Sequence, residues 1–472
     1  MSISDTDTDT DTDTRRRPAA LHAARGGELL SMGDAAGAQA CFQQALALDP
    51  DNAFALANLA WMREQEGALE HAVALYLRAL AHMPDDAHLL QNLGALLLRM
   101  RRMDEAEKIL RRVLALEPER SSAWSNMGVL EASLQRETQA ERSYRRAMEL
   151  DPAYANARYN LAYLLLRQGR LAEGWQMLEA RPQPSAFGDY FHFPRWQGES
   201  LAGKSLLICP EAGMGDMLLL CRYVPLLRDL GAASVSLLCH APLKALLRTV
   251  PGIDEVLAIG EAVAQGGRDY WVALLSIPGL CGTVLETIPS NVPYLHADAR
   301  AVTAWAARLP PAPLRVGLAW KGNPAFENDG ERSLAALDTL APLGAVAGVQ
   351  FVSLQKGAGE DDTSASLALV GGGAVLGDMA DTAALIANLD LVISVDTAVA
   401  HLAGALGTPC WLLLPHYRPD WRWLAGRSDS PWYRATRLFH QPAPGGWAPL
   451  IAQVAEQLTH WRQKTLPAGS DS

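Results

Sequence analysis

In the first third of the chain apolar residues recur at helical spacing, and each apolar stretch ends at a proline. The prolines fall every 34 residues, at Pro50, Pro84, Pro118 and Pro152 (LALDP, LAHMP, LALEP, MELDP). Aligned on them, Ala38, Ala72, Ala106 and Ala140 coincide, as do the large residues Phe42, Tyr76, Leu110 and Tyr144 and the small residues Gly26, Ala60, Gly94 and Gly128. Small residues where helices cross, large ones filling the gap and a Pro stopping the second helix describe a helix pair. Such a pair buries its apolar face only by stacking on copies of itself. The pattern predicts four full repeats over 19–152 and a degenerate fifth near 155–180, where Gly174 and Trp175 depart from it.

This repeat resembles the tetratricopeptide repeat in period and pattern, which implies an α-solenoid over 19–180. Asn58, Asn92, Asn126 and Asn160 also recur every 34 residues, on the first helix of each pair. The resemblance places that helix on the concave face of the array. One amide donor and one amide acceptor per repeat suit the backbone of an extended peptide; the same residues also serve to bond a neighbouring helix.

Past Arg181 the helical period is lost, and 181–203, rich in Pro, Gly and aromatics, reads as a linker. From Lys204 short apolar runs alternate with helical stretches. KSLLIC, ASVSLLC, LRVGLAW, VQFVSLQ, LDLVISV and PCWLLLP read as strands. MLLLCRYVPLLRDLG, APLKALLRTV, DTAALIANL, AVAHLAGALG and most of SLAALDTLAPLGAVAG read as helices. The alternation predicts parallel β-α-β units. A break at Pro310-Pro311-Ala312-Pro313 divides them into two Rossmann-like lobes, 204–312 and 313–462, facing a cleft. The Asp-Thr tract and arginines of residues 1–18 read as a disordered acidic tail, and 463–472 as a second tail.

A length of 472 residues calls for two or more folded units. The formal charge of -11 argues against a nucleic-acid partner, because it repels a phosphate backbone. Six cysteines without a C-x-x-C pair predict neither a metal site nor a disulfide framework, and fit a reducing cytoplasm. The nearest imitation of a membrane span, Thr397 to Pro415, is cut by Gly404, Gly407 and Thr408-Pro409, so no integral membrane segment is expected.

Ligands of open α/β sheets bind beyond the carboxyl ends of strands, at helix N-termini. Two loops qualify. Gly213-Met214-Gly215-Asp216 is neither a dinucleotide fingerprint nor a P-loop. Its glycines allow close backbone approach, and Asp216 either caps the helix or accepts a proton from an attacking hydroxyl. In the second, Asp396-Thr397-Ala398-Val399-Ala400-His401, the helix-start amides and the Thr397 hydroxyl suit a phosphate or diphosphate. Asp396 opposes an anion there unless turned away to fix the loop. His401, one turn along, either reaches the ligand or packs in the core. A third cluster, Lys321, Asn323 and Arg332, follows LRVGLAW and suits a phosphate or sugar acid, or is a solvated loop. Six of 13 tryptophans fall between Trp411 and Trp461, as core packing or as an aromatic wall.

Three stretches carry a further resemblance: FPRWQGESLAGKSLLICPEAGMGDMLLLCRYVPLL, VGLAWKGNPAFENDGERSL and LDLVISVDTAVAHLAGALGTPCWLLLPHYRPDWRWLAGRSDSPWY. In this order they resemble bacterial tetratricopeptide-repeat proteins with a C-terminal module akin to family 9 heptosyltransferases. The resemblance implies a GT-B architecture with the nucleotide-sugar donor mainly on the second lobe. It makes Asp216 the base, with Gly213, Met214 and Gly215 on the acceptor side, and it puts the donor diphosphate on Asp396, Thr397, Ala398 and His401. The implied reaction is an inverting, metal-independent transfer without a cofactor, the nucleotide-sugar being a substrate. The array would recruit a protein or peptide acceptor. Alternatives are a surface glycan such as lipopolysaccharide as acceptor, or an inactive scaffold. The chain departs from the family at Ala212, where Gln is usual, and at Lys321, where a small Ser is usual.

Overall fold

Short polar side chains start three of the repeat helices. Asp34, Asn52 and Asp86 accept from the backbone N–H of Gly37, Ala55 and Leu89 at 2.9, 3.0 and 2.9 Å, satisfying donors that a helix start leaves without partners. The computed structural model describes residues 7–181, 190–264, 266–326 and 328–465. Residues 1–6, 182–189 and 466–472, parts of the expected tails and linker, lie outside the described residues.

Ten helices run through the repeats: α1 (Asp7–Ser31), α2 (Ala35–Leu48), α3 (Ala53–Gln65), α4 (Leu69–His82), α5 (Ala87–Arg99), α6 (Met103–Leu116), α7 (Ser121–Ser133), α8 (Glu137–Leu150), α9 (Ala155–Arg167) and α10 (Leu171–Leu178). Their pairing explains the small and large positions of the period. A Cβ added to Gly26, Gly94 or Gly128 would lie 2.6, 2.8 or 2.5 Å from the side chain of Phe42, Leu110 or Tyr144. α1 extends back to Asp7, into the stretch read as a disordered tail, with Pro18 inside it. Once a helix is nucleated, each further residue adds a backbone hydrogen bond at low cost.

The chain folds as two compact units, Met1–Leu161 and Ala162–Ser472, so the division falls inside α9. The second unit contains two parallel sheets. The first comprises β1 (Ser205–Cys209), β2 (Ser234–Cys239), β3 (Glu255–Ala258) and β4 (Tyr270–Ala273), in the order β3-β2-β1-β4. The second comprises β5 (Leu314–Ala319), β6 (Val349–Ser353), β7 (Leu369–Val370), β8 (Leu391–Val395), β9 (Cys410–Leu414) and β10 (Thr436–His440), in the order β10-β9-β8-β5-β6-β7. Counted within its own sheet, this is the doubly wound order, with a switch point between β5 and β8; the first sheet has its switch between β1 and β4. The expected architecture, an α-solenoid followed by Rossmann-like lobes, is the one observed.

The helices that matter for the site are α11 (Met214–Leu220), α12 (Ala299–Arg308), α13 (Met379–Ile386), α14 (Ala398–Leu406) and α15 (Trp447–Thr465). Three predicted helices are shorter than their apolar pattern. APLKALLRTV forms a 3₁₀ turn, Ala241–Leu243, and a four-residue helix, Lys244–Leu247. MLLLCRYVPLLRDLG breaks after α11 into a 3₁₀ turn, Cys221–Tyr223, and resumes as Val224–Asp229, with Pro225 in the first turn, where its missing N–H costs nothing. SLAALDTLAPLGAVAG forms a 3₁₀ segment, Leu337–Ala345, containing Pro342. It packs under α15 through Leu337, Leu340, Leu343, Leu450, Ile451 and Val454. The apolar run at 397–415 resolves into α14, closed by Gly407 in the left-handed region (φ 80°), and β9. No described helix is long and apolar enough to cross a membrane.

The degenerate fifth repeat departs from the pattern for a packing reason. Trp175 on α10 belongs to the α/β unit: its indole N–H donates to the Thr283 carbonyl at 2.9 Å, and its ring meets Trp421 edge-on at 5.3 Å. The α9 carbonyl of Arg167 accepts from the Ala425 N–H at 2.9 Å. Arg181, just beyond α10, is buried against Glu211, the residue that opens the loop after β1.

Candidate active site

The loops after β1, β5 and β8 leave the carboxyl ends of strands at the two switch points, where α/β sheets bind ligands. The first and third of them start α11 and α14, which pack against each other. Gly215 makes the close approach: a Cβ there would stand 2.7 Å from His401 Cδ2. Gly215→Ala is therefore expected to destabilise the α/β unit by about 1–3 kcal/mol, the usual range for overpacking. Chemical denaturation followed by tryptophan fluorescence measures it, and an unchanged midpoint would show that the two helices do not meet there.

Asp216 sits in the first turn of α11, at the third position and not at the cap. It reaches back to accept the Gly213 N–H at 2.8 Å through Oδ2. Its other oxygen accepts from Arg422 Nη2, in the loop after β9, and the Asp216 side chain keeps 14% of its exposure. Arg422 also donates through Nη1 to both oxygens of Asp420 at 2.8 and 2.9 Å, and lies over the Trp421 ring at 4.3 Å. Two carboxylates thus share one buried guanidinium. Burial pushes the Asp216 carboxyl above the usual carboxylate range; Arg422 pulls against that, and Asp420 adds to it.

On the opposite side Thr397 caps α14 by position, but its hydroxyl bonds Ser394 Oγ at 3.0 Å and makes no capping bond. The first amides of α14, Ala398 and Val399, therefore have no side-chain acceptor among the described residues. Asp396 is buried, and its carboxyl is pushed up to about 6, chiefly by burial and by the nearby Asp420. His401 is a packed group: it stacks on Trp423 at 5.1 Å, shares a 3.0 Å hydrogen bond with Tyr433 Oη through Nδ1, and stands 4.0 Å from Asp396 Oδ1. Burial, helped by Arg422, Arg222 and Arg332, holds the imidazole well below its ordinary pKa, so it is neutral.

Of the third cluster, Arg332 joins the site and the other two residues are committed locally. Arg332 gives Nε to Asp329 at 3.2 Å, lies over Phe326 at 4.4 Å, and acts electrostatically on Asp396 and His401. Lys321 pairs with Asp362 at 2.9 Å, and Asn323 Oδ1 accepts from the Ala325 N–H at 3.0 Å. Among the described residues no group of three His, Cys, Asp or Glu side chains is placed to hold a metal ion.

Sequence reasoning missed Arg422, Asp420 and Tyr433, although all three lie in the Trp-dense stretch it singled out. Trp421, Trp423 and Trp432 there are buried, in a layer under the site. It also missed Arg222, which donates to the carbonyls of Leu219 and Trp432 at 2.8 and 2.7 Å and to Tyr294 Oη at 2.9 Å, joining the two lobes. The asparagines of the repeats lie on α3, α5, α7 and α9. Asn58 donates to the Phe54 carbonyl of its own helix at 2.8 Å, and Asn92 is exposed.

Comparison with known proteins agrees with this architecture. Family models of the tetratricopeptide repeat match residues 24–87, 63–128, 121–154 and 143–176, and the model of glycosyltransferase family 9 (heptosyltransferase) matches 374–413, which spans α13, β8 and α14. Protein FlbA of Caulobacter vibrioides is 32% identical over 328 residues, 63% of this chain and 54% of that protein, so the chain spans about half of that relative's length. Among solved structures, Pseudomonas aeruginosa pilF is 24% identical over 37% of this chain and 81% of its own (TM-score 0.33). MamA of Desulfovibrio magneticus RS-1 is 17% identical over 34% of this chain and 92% of its own (TM-score 0.32). The chain carries tetratricopeptide repeats in its first part and, in its second unit, a segment that matches glycosyltransferase family 9.

Proposed function

We propose that the chain transfers a sugar from a nucleotide-sugar donor to a hydroxyl of a protein or peptide held by the repeats, in the cytoplasm, with inversion and without a metal. The observation that carries the proposal is the placement of a carboxylate, Asp216, and a pair of helix-start amides without side-chain acceptors, Ala398 and Val399, on packed helices at the two switch points. The amides, the Thr397 hydroxyl and Arg332 take the diphosphate. Asp216 takes the proton of the acceptor hydroxyl as its oxygen attacks the anomeric carbon, and the electron pair of the breaking bond leaves with the nucleoside diphosphate. Both Asp396 and the neutral His401 then serve to fix the loop. Asn58, Asn92, Asn126 and Asn160 line the face of the repeats that meets the acceptor chain.

One observation favours a second reading, a scaffold without turnover: both oxygens of Asp216 are engaged and its side chain is nearly sealed from solvent. Titration of the full chain with UDP, GDP, ADP, CMP and dTDP separates the two. A transferase binds one of them at micromolar Kd, about -8 kcal/mol. Thr397→Ala weakens that binding about tenfold, the effect of one hydrogen bond to a charged group. Absence of binding by every nucleotide at millimolar concentration would leave the scaffold.

A further inference from the structure

Arg422 is engaged in a way that its own chemistry does not complete. A guanidinium presents two forked edges, and the edge made of Nε and Nη2 fits two oxygens of a carboxylate or phosphate at once. Arg181 uses that edge fully, giving Nε and Nη2 to Glu211 at 2.9 and 2.8 Å. Arg422 does not. Its Nη2 is bonded to one oxygen of Asp216, whose other oxygen is held by Gly213, while Nε is buried with no acceptor. The side chain keeps 8% of its exposure, so water does not readily complete the set. A buried donor left unpaired is costly and calls for an explanation.

The surroundings say what would complete it. Nη1 is committed to Asp420, and Trp421 holds the guanidinium plane from below, so the incomplete edge is fixed in place. The next residue, Trp423, stacks on His401 of α14, and the charge of Arg422 is felt by both Asp396 and His401. The half-used fork thus stands beside the α14 N-terminus, whose first amides also lack side-chain acceptors. A diphosphate there has two oxygens to offer where Asp216 offers one.

We propose that the Nε–Nη2 edge of Arg422 is a second phosphate-binding element of the site, and that it exchanges Asp216 for the donor's diphosphate. The inference rests on the nucleotide-sugar reading given above and adds an order of events to it. Without donor, Arg422 neutralises Asp216. With donor bound, the diphosphate takes Nε and displaces Asp216 from Nη2, and Asp216 is released to meet the acceptor hydroxyl. No covalent bond changes in this step; one ion pair replaces another. The base is unmasked only when there is a donor to react with.

The test is a double-mutant cycle on the full chain, read as the Kd of the nucleoside diphosphate that the wild type binds, with the matching nucleoside as control. Arg422→Lys keeps the charge and removes the fork; it is expected to weaken diphosphate binding about tenfold or more and to leave the nucleoside unaffected. Asp216→Asn frees the fork and is expected to tighten diphosphate binding about fivefold or more. In the Arg422→Lys background that tightening should shrink to less than about twofold, because the exchange no longer exists. Equal tightening in both backgrounds would mean plain repulsion between Asp216 and the phosphates, and would overturn the exchange. So would unchanged diphosphate binding in Arg422→Lys. If binding is lost in Thr397→Ala but not in Arg422→Lys, the nucleotide reading stands and this one falls; if no chain binds any nucleoside diphosphate, both fall. Should Arg422→Lys not fold, Arg422→Gln takes its place in the cycle: loss of the Asp216→Asn tightening in that background supports the exchange, and equal tightening overturns it.

Discussion

Arg181→Ala is expected to destabilise the α/β unit by about 3–5 kcal/mol, the cost of stranding one member of a buried ion pair. Arg181 and Glu211 keep side-chain exposures of only 5% and 6%. Besides its two bonds to Glu211, Arg181 donates to Ser276 Oγ at 2.7 Å, to the Leu178 carbonyl at 3.1 Å and to Glu179 at 3.0 Å. Glu211 in turn accepts the Leu275 N–H at 3.0 Å. Without the guanidinium, a carboxylate is left in the interior at the start of the loop that carries Asp216. The double variant Arg181→Met with Glu211→Leu should recover much of the loss, since replacing both members by apolar groups is often neutral. Of the 13 tryptophans only Trp61 and Trp124 lie in the repeat unit, so denaturation followed by tryptophan fluorescence reports on the α/β unit. A loss below about 1 kcal/mol would place the pair among weak, solvated bridges. The expected result also sets a limit for truncation: a chain begun at Lys204 lacks Trp175 and Arg181, and with them part of the α/β core.

Asp216→Asn is expected to lower transfer to a proven acceptor by about 10²–10⁴-fold, the usual contribution of a positioned general base. Asparagine keeps the size of the side chain and one oxygen for the Gly213 N–H, so the turn is preserved while the basic oxygen is lost. The pH profile supplies a second readout. A base works in its ionised form, and burial has pushed this carboxyl upward, so the wild-type rate should rise with pH through a pKa above the ordinary carboxylate range. In the asparagine variant that rise should be absent. Full transfer activity in Asp216→Asn would remove the base assignment, while a wild type without turnover under any donor would favour the scaffold.

The repeats and most strands were legible in the residue order because their signals are local. A proline every 34 residues and a small residue opposite a large one report helix ends and helix crossings directly, as Gly128 beside Tyr144 shows. Short apolar runs between helical stretches reported six of the ten strands. The four missed, β3, β4, β7 and β10, are short or carry polar residues such as Glu255, Tyr270 and Arg437. The loops after β1 and β8 were found because a strand-to-helix turn with glycines or a Thr is itself a local pattern. Their meeting at Gly215 and His401 was not.

Burial and charge pairing across long separations were beyond the reach of pattern. Arg422 and Asp216 are 206 residues apart, and Arg222 and Trp432 are 210 apart; nothing near any of them announces the other. The neutral state of His401 follows from the ring and helix packed around it, and the committed state of Lys321 from Asp362 on another loop. Backbone sterics and apolar periodicity act between near neighbours, so the chain order alone specifies helices, strands, repeats and the turns that could carry chemistry. Electrostatic state depends on which groups are withdrawn from water together, and that is settled only when distant segments pack.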